Sequence, residues 1–408
     1  MNYSIKKRAF AVAFLLFLLV FGAANIVMNA SDIGEEIAES FTDDEPLSQE
    51  VEEVMQQQLA GRIGFVETYG EVQRLQDKNE YNDFSYIKDE NGFLNYSSFY
   101  SEDDRMLFES AGRVKKLQDY VGEYGTKVLV VVTPSKYSKE YSEYKKGAPI
   151  NDPHTYMNEL LVYLDRLGIE VLNLDELMPN ENISYDELFY KTDHHWTSYG
   201  AFEATKIISE TIKDKFGEDL DPTGYYLGPD SYTKELYKGH MLGSMGRGTG
   251  VAYSGIEDFE AYFPNFEGNY KRYTIDEKGM ETENSGNFVE TLYDMSVLED
   301  DIDYYKVSQY ALYMDEIRPV EEVVNLDNPD GPSIAMVRDS YMAPVIPFLA
   351  PMCSRIDAVW SLEDLDELEI SDYIRDKYDE GICYDYFIIE VYPYNLDEQA
   401  FRFFRGDN

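Results

Sequence analysis

Hydrophobic positions in this chain change period repeatedly, and each change marks an element. Residues 103–124 space their apolar side chains as a helix does and stop at Gly125. Residues 127–133 (Lys-Val-Leu-Val-Val-Val-Thr) form an unbroken β-branched run ended by Pro134. A strand without polar alternation is expected where both faces are covered, as in a parallel sheet. The pair then repeats, with a helix over 156–167 closed by Gly168 and a strand over 169–174. An amphipathic helix over 197–216 follows, with Thr197 or Ser198 as its N-cap. Strands return at 333–337, 355–360 and 386–392, the last closed by Pro393, with a charged helix near 371–378. This alternation predicts an α/β fold with a doubly wound, mainly parallel sheet.

Two regions break the pattern. Between about 217 and 330 the periodicity is lost in a Gly-, Tyr- and acid-rich segment holding short β-like pieces such as 270–275. A structureless loop of that length is out of keeping with a compact domain, so a partly β insertion over one end of the sheet is expected. At the N-terminus, Lys6-Lys7-Arg8 precedes an apolar run over 9–28, interrupted only by Gly22 and Asn25. That run is long enough to span a bilayer, with the basic flank on the cytoplasmic side. The small residues Gly22-Ala23-Ala24 make a cleaved signal peptide the competing reading, and both send the remainder outside the cytoplasm. Three parts result. Residues 1–30 are the cytoplasmic N-terminus and signal anchor, and 31–80 an acidic spacer with a helix near 48–59. Residues 81–408 are the α/β domain, entered through a hairpin near 82–99 that turns at Asp89 to Gly92.

Charge narrows the partners. Seventy-nine acidic residues against 35 basic ones give a net charge of −44, which repels phosphate backbones and excludes a nucleic-acid partner. Solubility in a salty or cation-rich exterior explains the surplus without a specific role. The 36 tyrosines fit core filling for the most part, with some left to line a groove where sugar rings could stack. Cys353 and Cys383 have no metal-ligand spacing and are read as free thiols beside core strands.

The candidate chemistry gathers in Tyr190-Lys-Thr-Asp-His-His-Trp-Thr-Ser-Tyr-Gly200, which holds two of the four histidines on a turn leading into a helix. Far downstream, Ser340 follows a buried strand, where a side chain points out of the carboxyl end of the sheet. Serine needs a base, and the base a carboxylate. His154, in a polar loop beside Pro153, and His240, in the insertion, are set aside, leaving the Asp193 region. In an extended segment i and i+2 share a face, so Asp193 is paired with His195 as orienter and base. His194 is expected to point elsewhere and, with Trp196, to support the turn. Adjacent histidines rarely bind one ion together and no third ligand has the right spacing, so neither a metal nor another cofactor is expected.

Thr192-Asp193-His194-His195-Trp196-Thr197, with Asp339-Ser340-Tyr341 downstream, resembles the DHHW protein family, related to the SGNH-hydrolase-like domains of the alginate O-acetylation proteins (AlgX/AlgJ type). Thr133-Pro-Ser-Lys136 and Pro347-Phe-Leu349 also resemble family elements, and the likeness runs over roughly 85–400. It implies a flavodoxin-like SGNH fold, a Ser340/His195/Asp193 triad reached in the order Asp-x-His before Ser, and O-acetylation of a cell-surface polysaccharide. The acyl group would then come through a separate membrane-bound acyltransferase. Arg338 stands where ordinary SGNH members carry glycine, so the oxyanion site is expected to differ. Gly243-Ser244 is the candidate substitute, with Arg338 beside it. Glu390, closing a strand, is expected to meet solvent. A carbohydrate esterase with the same triad, and an inactive membrane-tethered glycan-binding or assembly protein, are the alternatives.

Overall fold

A computed structural model describes residues 3–30, 33–34, 59–97, 104–139, 141–148, 150, 152–181, 183–276, 278–299, 301–315, 317–361, 370–396, 401 and 403. The chain forms two compact units, residues 1–72 and 73–408. The expected helix near 48–59 falls almost wholly outside the described residues.

The first unit is led by helix α1 (Tyr3–Met28). Within it Lys6–Met28 is long and apolar enough to cross a membrane, a property shared by anchors and signal sequences. Helix α2 (Arg62–Leu75) follows. The second unit opens with strands β1 (Glu80–Tyr81), β2 (Tyr86–Lys88) and β3 (Leu94–Tyr96), an antiparallel meander rather than a single hairpin. The turn from Asp89 to Gly92 is tied by the Asp89 carboxylate, which accepts from the amides of Asn91 and Phe93.

Helix α3 (Asp104–Gly122) leads to β4 (Lys127–Val132), and α4 (His154–Arg166) leads to β5 (Glu170–Asn173) and the short α5 (Leu174–Leu177). Helix α6 (Ser198–Phe216) is capped by the Thr197 hydroxyl, which accepts from the Gly200 amide at 3.1 Å, and ends on Gly217 at φ 83°. The insertion contributes β6 (Tyr232–Met241), α7 (Ser244–Thr249), β7 (Glu257–Pro264), β8 (Asn269–Ile275), β9 (Glu281–Asn287) and β10 (Val320–Asn325). Then come β11 (Ser333–Arg338), α8 (Val345–Leu349), β12 (Arg355–Trp360), α9 (Ile370–Asp379) and β13 (Tyr386–Val391).

The main sheet runs β5-β4-β13-β11-β12-β10-β8-β9. Its first five strands pair in parallel and its last three antiparallel. The insertion therefore does more than cover one end, because β8, β9 and β10 lengthen the sheet at its edge. Only β6 and β7 form a separate ribbon. Successive residues of β4 serve opposite cores: Leu129 and Val131 pack with α6 and α8, whereas Val128, Val130 and Val132 pack with α3, α4 and α9. Burial on both faces is why these strands show no polar alternation, and each such side chain contributes about 1.5–3 kcal/mol. Both thiols are free, Cys353 buried and Cys383 exposed.

Candidate active site

Two segments 145 residues apart converge at the carboxyl ends of β4, β13 and β11. The first is a loop closed at its neck by a bridge between Phe189 and Trp196. Between those residues the backbone bends continuously instead of extending. The bend folds Asp193 back over His195: one oxygen, Oδ1, accepts from the His195 amide at 3.1 Å and lies 2.6 Å from Nδ1. The other histidine nitrogen, Nε2, lies 2.6 Å from the Ser340 Oγ. With Asp193 ionised, Nδ1 carries the proton and Nε2 is left to accept the serine hydroxyl. Ser340 opens the turn after β11, where the Asp339 carboxylate accepts from the Tyr341 amide at 2.8 Å.

The carboxylate is held tightly. Burial alone would raise the Asp193 pKa, but the neighbouring His195 and His194 and the Ser244 amide bring it well below the usual carboxylate range. The Ser244 N–H donates to Asp193 Oδ2 at 2.6 Å, and the Gly243 N–H to Thr192 Oγ1 at 2.9 Å. Both amides offered by sequence as oxyanion donors are thus committed to the loop, so Gly243-Ser244 is a clamp on Asp193. A side chain at 243 would place its Cβ 2.3 Å from the Asp193 Cβ, which is why glycine stands there. Arg338 is likewise committed elsewhere. Its fully buried guanidinium pairs with Glu321, which also holds Arg272 at 2.6 Å.

Two further expectations change. His194 does not point away. Its ring centroid lies 3.8 Å from that of His195 and its Nδ1 is 3.4 Å from Asp193 Oδ1, because the bend cancels the alternation of an extended strand. Burial, then the neighbouring His195, pushes its pKa down to about 3, so it is neutral. Glu390 is buried instead of solvated. It accepts the Asp339 amide at 2.7 Å and the Thr133 hydroxyl at 2.8 Å, and burial followed by the charge of Asp339 drives its pKa well above the usual range. Trp196 is fully buried edge-on to Tyr341.

Four contributors had no role assigned from sequence. Tyr310 stacks on His195 at 4.0 Å and donates to the Ser340 carbonyl at 3.1 Å. Glu257 accepts the Lys191 and Thr192 amides, both at 2.7 Å. Lys136 is buried and donates to the carbonyls of Lys191 at 3.0 Å and Asp193 at 2.5 Å. Burial lowers its pKa to about 8 against the pull of Glu257 and Asp193. The fourth, His154, begins α4 and contradicts the reading that only the Asp193 region pairs histidine with carboxylate. Its Nδ1 lies 2.6 Å from Asp152 and its Nε2 2.8 Å from Asp175. The signal was present, since Asp152-Pro-His154 repeats the Asp-x-His spacing.

Ligand atoms of Asp193, His194 and His195 lie within 4.8 Å of one another. Asp193 accepts from three N–H donors and His195 Nε2 faces a hydroxyl.

Residues 93–258 match the family described as SGNH hydrolase-like domain, acetyltransferase AlgX. The alginate biosynthesis protein AlgX of Pseudomonas syringae pv. tomato is 28% identical over 148 residues, 35% of this chain and 28% of that protein. The chain therefore shares less than a third of that relative's length. Among solved structures, Bacillus cereus PatB1 with a sulfonyl adduct superposes with a TM-score of 0.59 at 18% identity, over 78% of this chain and 99% of that one. A DHHW family protein from Eubacterium siraeum gives 0.53 at 18% identity, over 77% and 92%. The chain therefore shares its fold with a DHHW family protein, and its residues 93–258 are similar to the SGNH hydrolase-like domain of the AlgX family.

Proposed function

We propose that the chain is a serine-dependent O-acyltransferase that acetylates a surface polysaccharide outside the cytoplasm. The observation that carries this reading is the unbroken hydrogen-bond line Asp193–His195–Ser340, with both links at 2.6 Å. As His195 Nε2 removes its proton, Ser340 Oγ attacks the carbonyl carbon of an acyl donor, and the proton is returned to the leaving group. The acyl-serine ester is then attacked by a sugar hydroxyl that has lost its proton to Nε2, which re-forms the serine hydroxyl and leaves the acyl group on the glycan. Asp193 keeps the imidazole in the required tautomer throughout. With the Gly243, Ser244 and Tyr341 amides committed, the Ser340 amide itself would serve as the oxyanion donor beside the carbon under attack. The AlgX likeness supports a polysaccharide acceptor and a membrane-bound acyltransferase as the acyl source, and the apolar α1 supports a tether.

The test uses the full-length chain in detergent. An arylsulfonyl fluoride is expected to add once, at Ser340, and nitrophenyl acetate to release nitrophenol with transfer to a glycan when one is supplied. Absence of label from folded wild-type protein, or label persisting in Ser340→Ala, sinks the mechanism. Release into water with no glycan product makes it an esterase instead.

A further inference from the structure

We propose that His154 is a positioning residue for this reaction: by joining Asp152 to Asp175 it fixes the turn whose Lys136 holds the Asp193 loop. The proposal rests on reading Ser340, His195 and Asp193 as the reacting groups.

The links are continuous. His154 Nδ1 meets Asp152 Oδ1 at 2.6 Å and Nε2 meets Asp175 Oδ2 at 2.8 Å. The other oxygen of Asp175 accepts the Ser135 amide at 2.6 Å. The next residue is Lys136, whose ammonium grips the carbonyls of Lys191 and Asp193. Thus the start of α4, the start of α5 and the turn after β4 are tied to one another, and that turn is tied to the peptide carrying the carboxylate. Misplacing a reacting group by about 1 Å can cost roughly 100-fold in rate, so slack in this brace reaches the contact between Nε2 and Oγ.

Both ring nitrogens face carboxylates, an arrangement that favours the imidazolium, in which both donate. Burial opposes this charge, but Asp175 and Asp152 prevail and hold the pKa above its ordinary value. Lys139 pairs with the far oxygen of Asp152, the Tyr137 ring stands 6.0 Å away, and the Ser135 hydroxyl lies 3.5 Å from Nε2. A serine–histidine–carboxylate line alone gains rate as its base deprotonates and then levels off. Deprotonating His154 removes a donor from one carboxylate and adds a fall on the alkaline side. Lys136, its pKa lowered to about 8 by burial, also loses a proton on the alkaline side but keeps two N–H donors when neutral. Asp152→Asn distinguishes the two, because Asp152 touches His154 and not Lys136.

The experiment follows modification of Ser340 by phenylmethylsulfonyl fluoride from about pH 6 to about pH 10, a window spanning ordinary imidazole and amine titration. Alongside, proton NMR observes the downfield Nδ1–H of His195, a readout independent of reactivity. His154→Gln is expected to slow modification by roughly 10- to 100-fold and to shift the downfield proton. Asp152→Asn is expected to move the alkaline fall to lower pH. Wild-type rate, profile and proton signal in both variants overturn the proposal. If wild-type Ser340 takes no label, the reaction scheme fails on its own, and the His195 signal in His154→Gln still decides the brace. If His154→Gln does not fold, the Asp152→Asn profile decides it.

Discussion

Two Asp-x-His units, Asp152–His154 and Asp193–His195, share a spacing and the same 2.6 Å contact from Nδ1 to a carboxylate oxygen. They differ in what meets the other nitrogen. At His195 it is a serine hydroxyl 2.6 Å away, and at His154 a second carboxylate at 2.8 Å. A ring between one carboxylate and a hydroxyl can exchange a proton with that hydroxyl. A ring between two carboxylates keeps its proton and serves as a cross-link. The motif supplies an oriented imidazole, and a group brought from elsewhere in the chain decides its use.

The sharpest break in the parallel comes from removing each unit's partner. Asp193→Asn should reduce nitrophenyl ester turnover by about 10,000-fold, the scale seen when a triad histidine is left in the wrong tautomer. The clamp ranks next. Gly243→Ala forces a Cβ to within 2.3 Å of Asp193, so turnover should fall by about 100-fold while a cooperative melt is retained. Stability against pH should then separate the histidines by sign. His194 has its folded pKa lowered to about 3, so between there and the ordinary value near 6.5 only the unfolded chain binds the proton. Urea midpoints should fall as pH drops through that window, and His194→Gln should flatten the slope. His154, with its pKa raised, stabilises the fold fully below the ordinary value and loses that contribution as pH rises through the folded one, so His154→Gln should flatten the alkaline side. The smallest effect is expected on the labelling of Ser135 in Asp175→Asn. The substitution frees His154 Nε2, yet Ser135 should stay unlabelled because its hydroxyl is 3.5 Å away and donates to the Tyr137 carbonyl at 2.8 Å. Peptide mass mapping reads this directly, and label on Ser135 would mean the second carboxylate alone separates the two units.

The elements that bury both faces were legible because burial writes itself into local sequence: β4, β11 and β13 stand where unbroken apolar runs predict them. Of the strands that lengthen the sheet, β8 was read as a β-like piece at 270–275, whereas β9 and β10 went unnamed because acidic residues such as Glu283 and Glu322 break up their apolar pattern. Within the site, the partners named from sequence were those whose chemistry demands a fixed residue type. The supporting contacts were hidden by distance along the chain, the Gly243-Ser244 clamp lying 51 residues from its target and Glu257 66 from Lys191. His194 was misdirected because a rule for extended backbone was applied to a bend.

The place of β13 has a consequence for how the site is assembled. Strand order puts it between β4 and β11, pairing with both, so the segment carrying the histidine and the segment carrying the serine become neighbours across a strand made after each of them. Their union is a late, non-local event, of the kind that slows folding. A chain cut short before Tyr386 would lack the strand that joins its two halves.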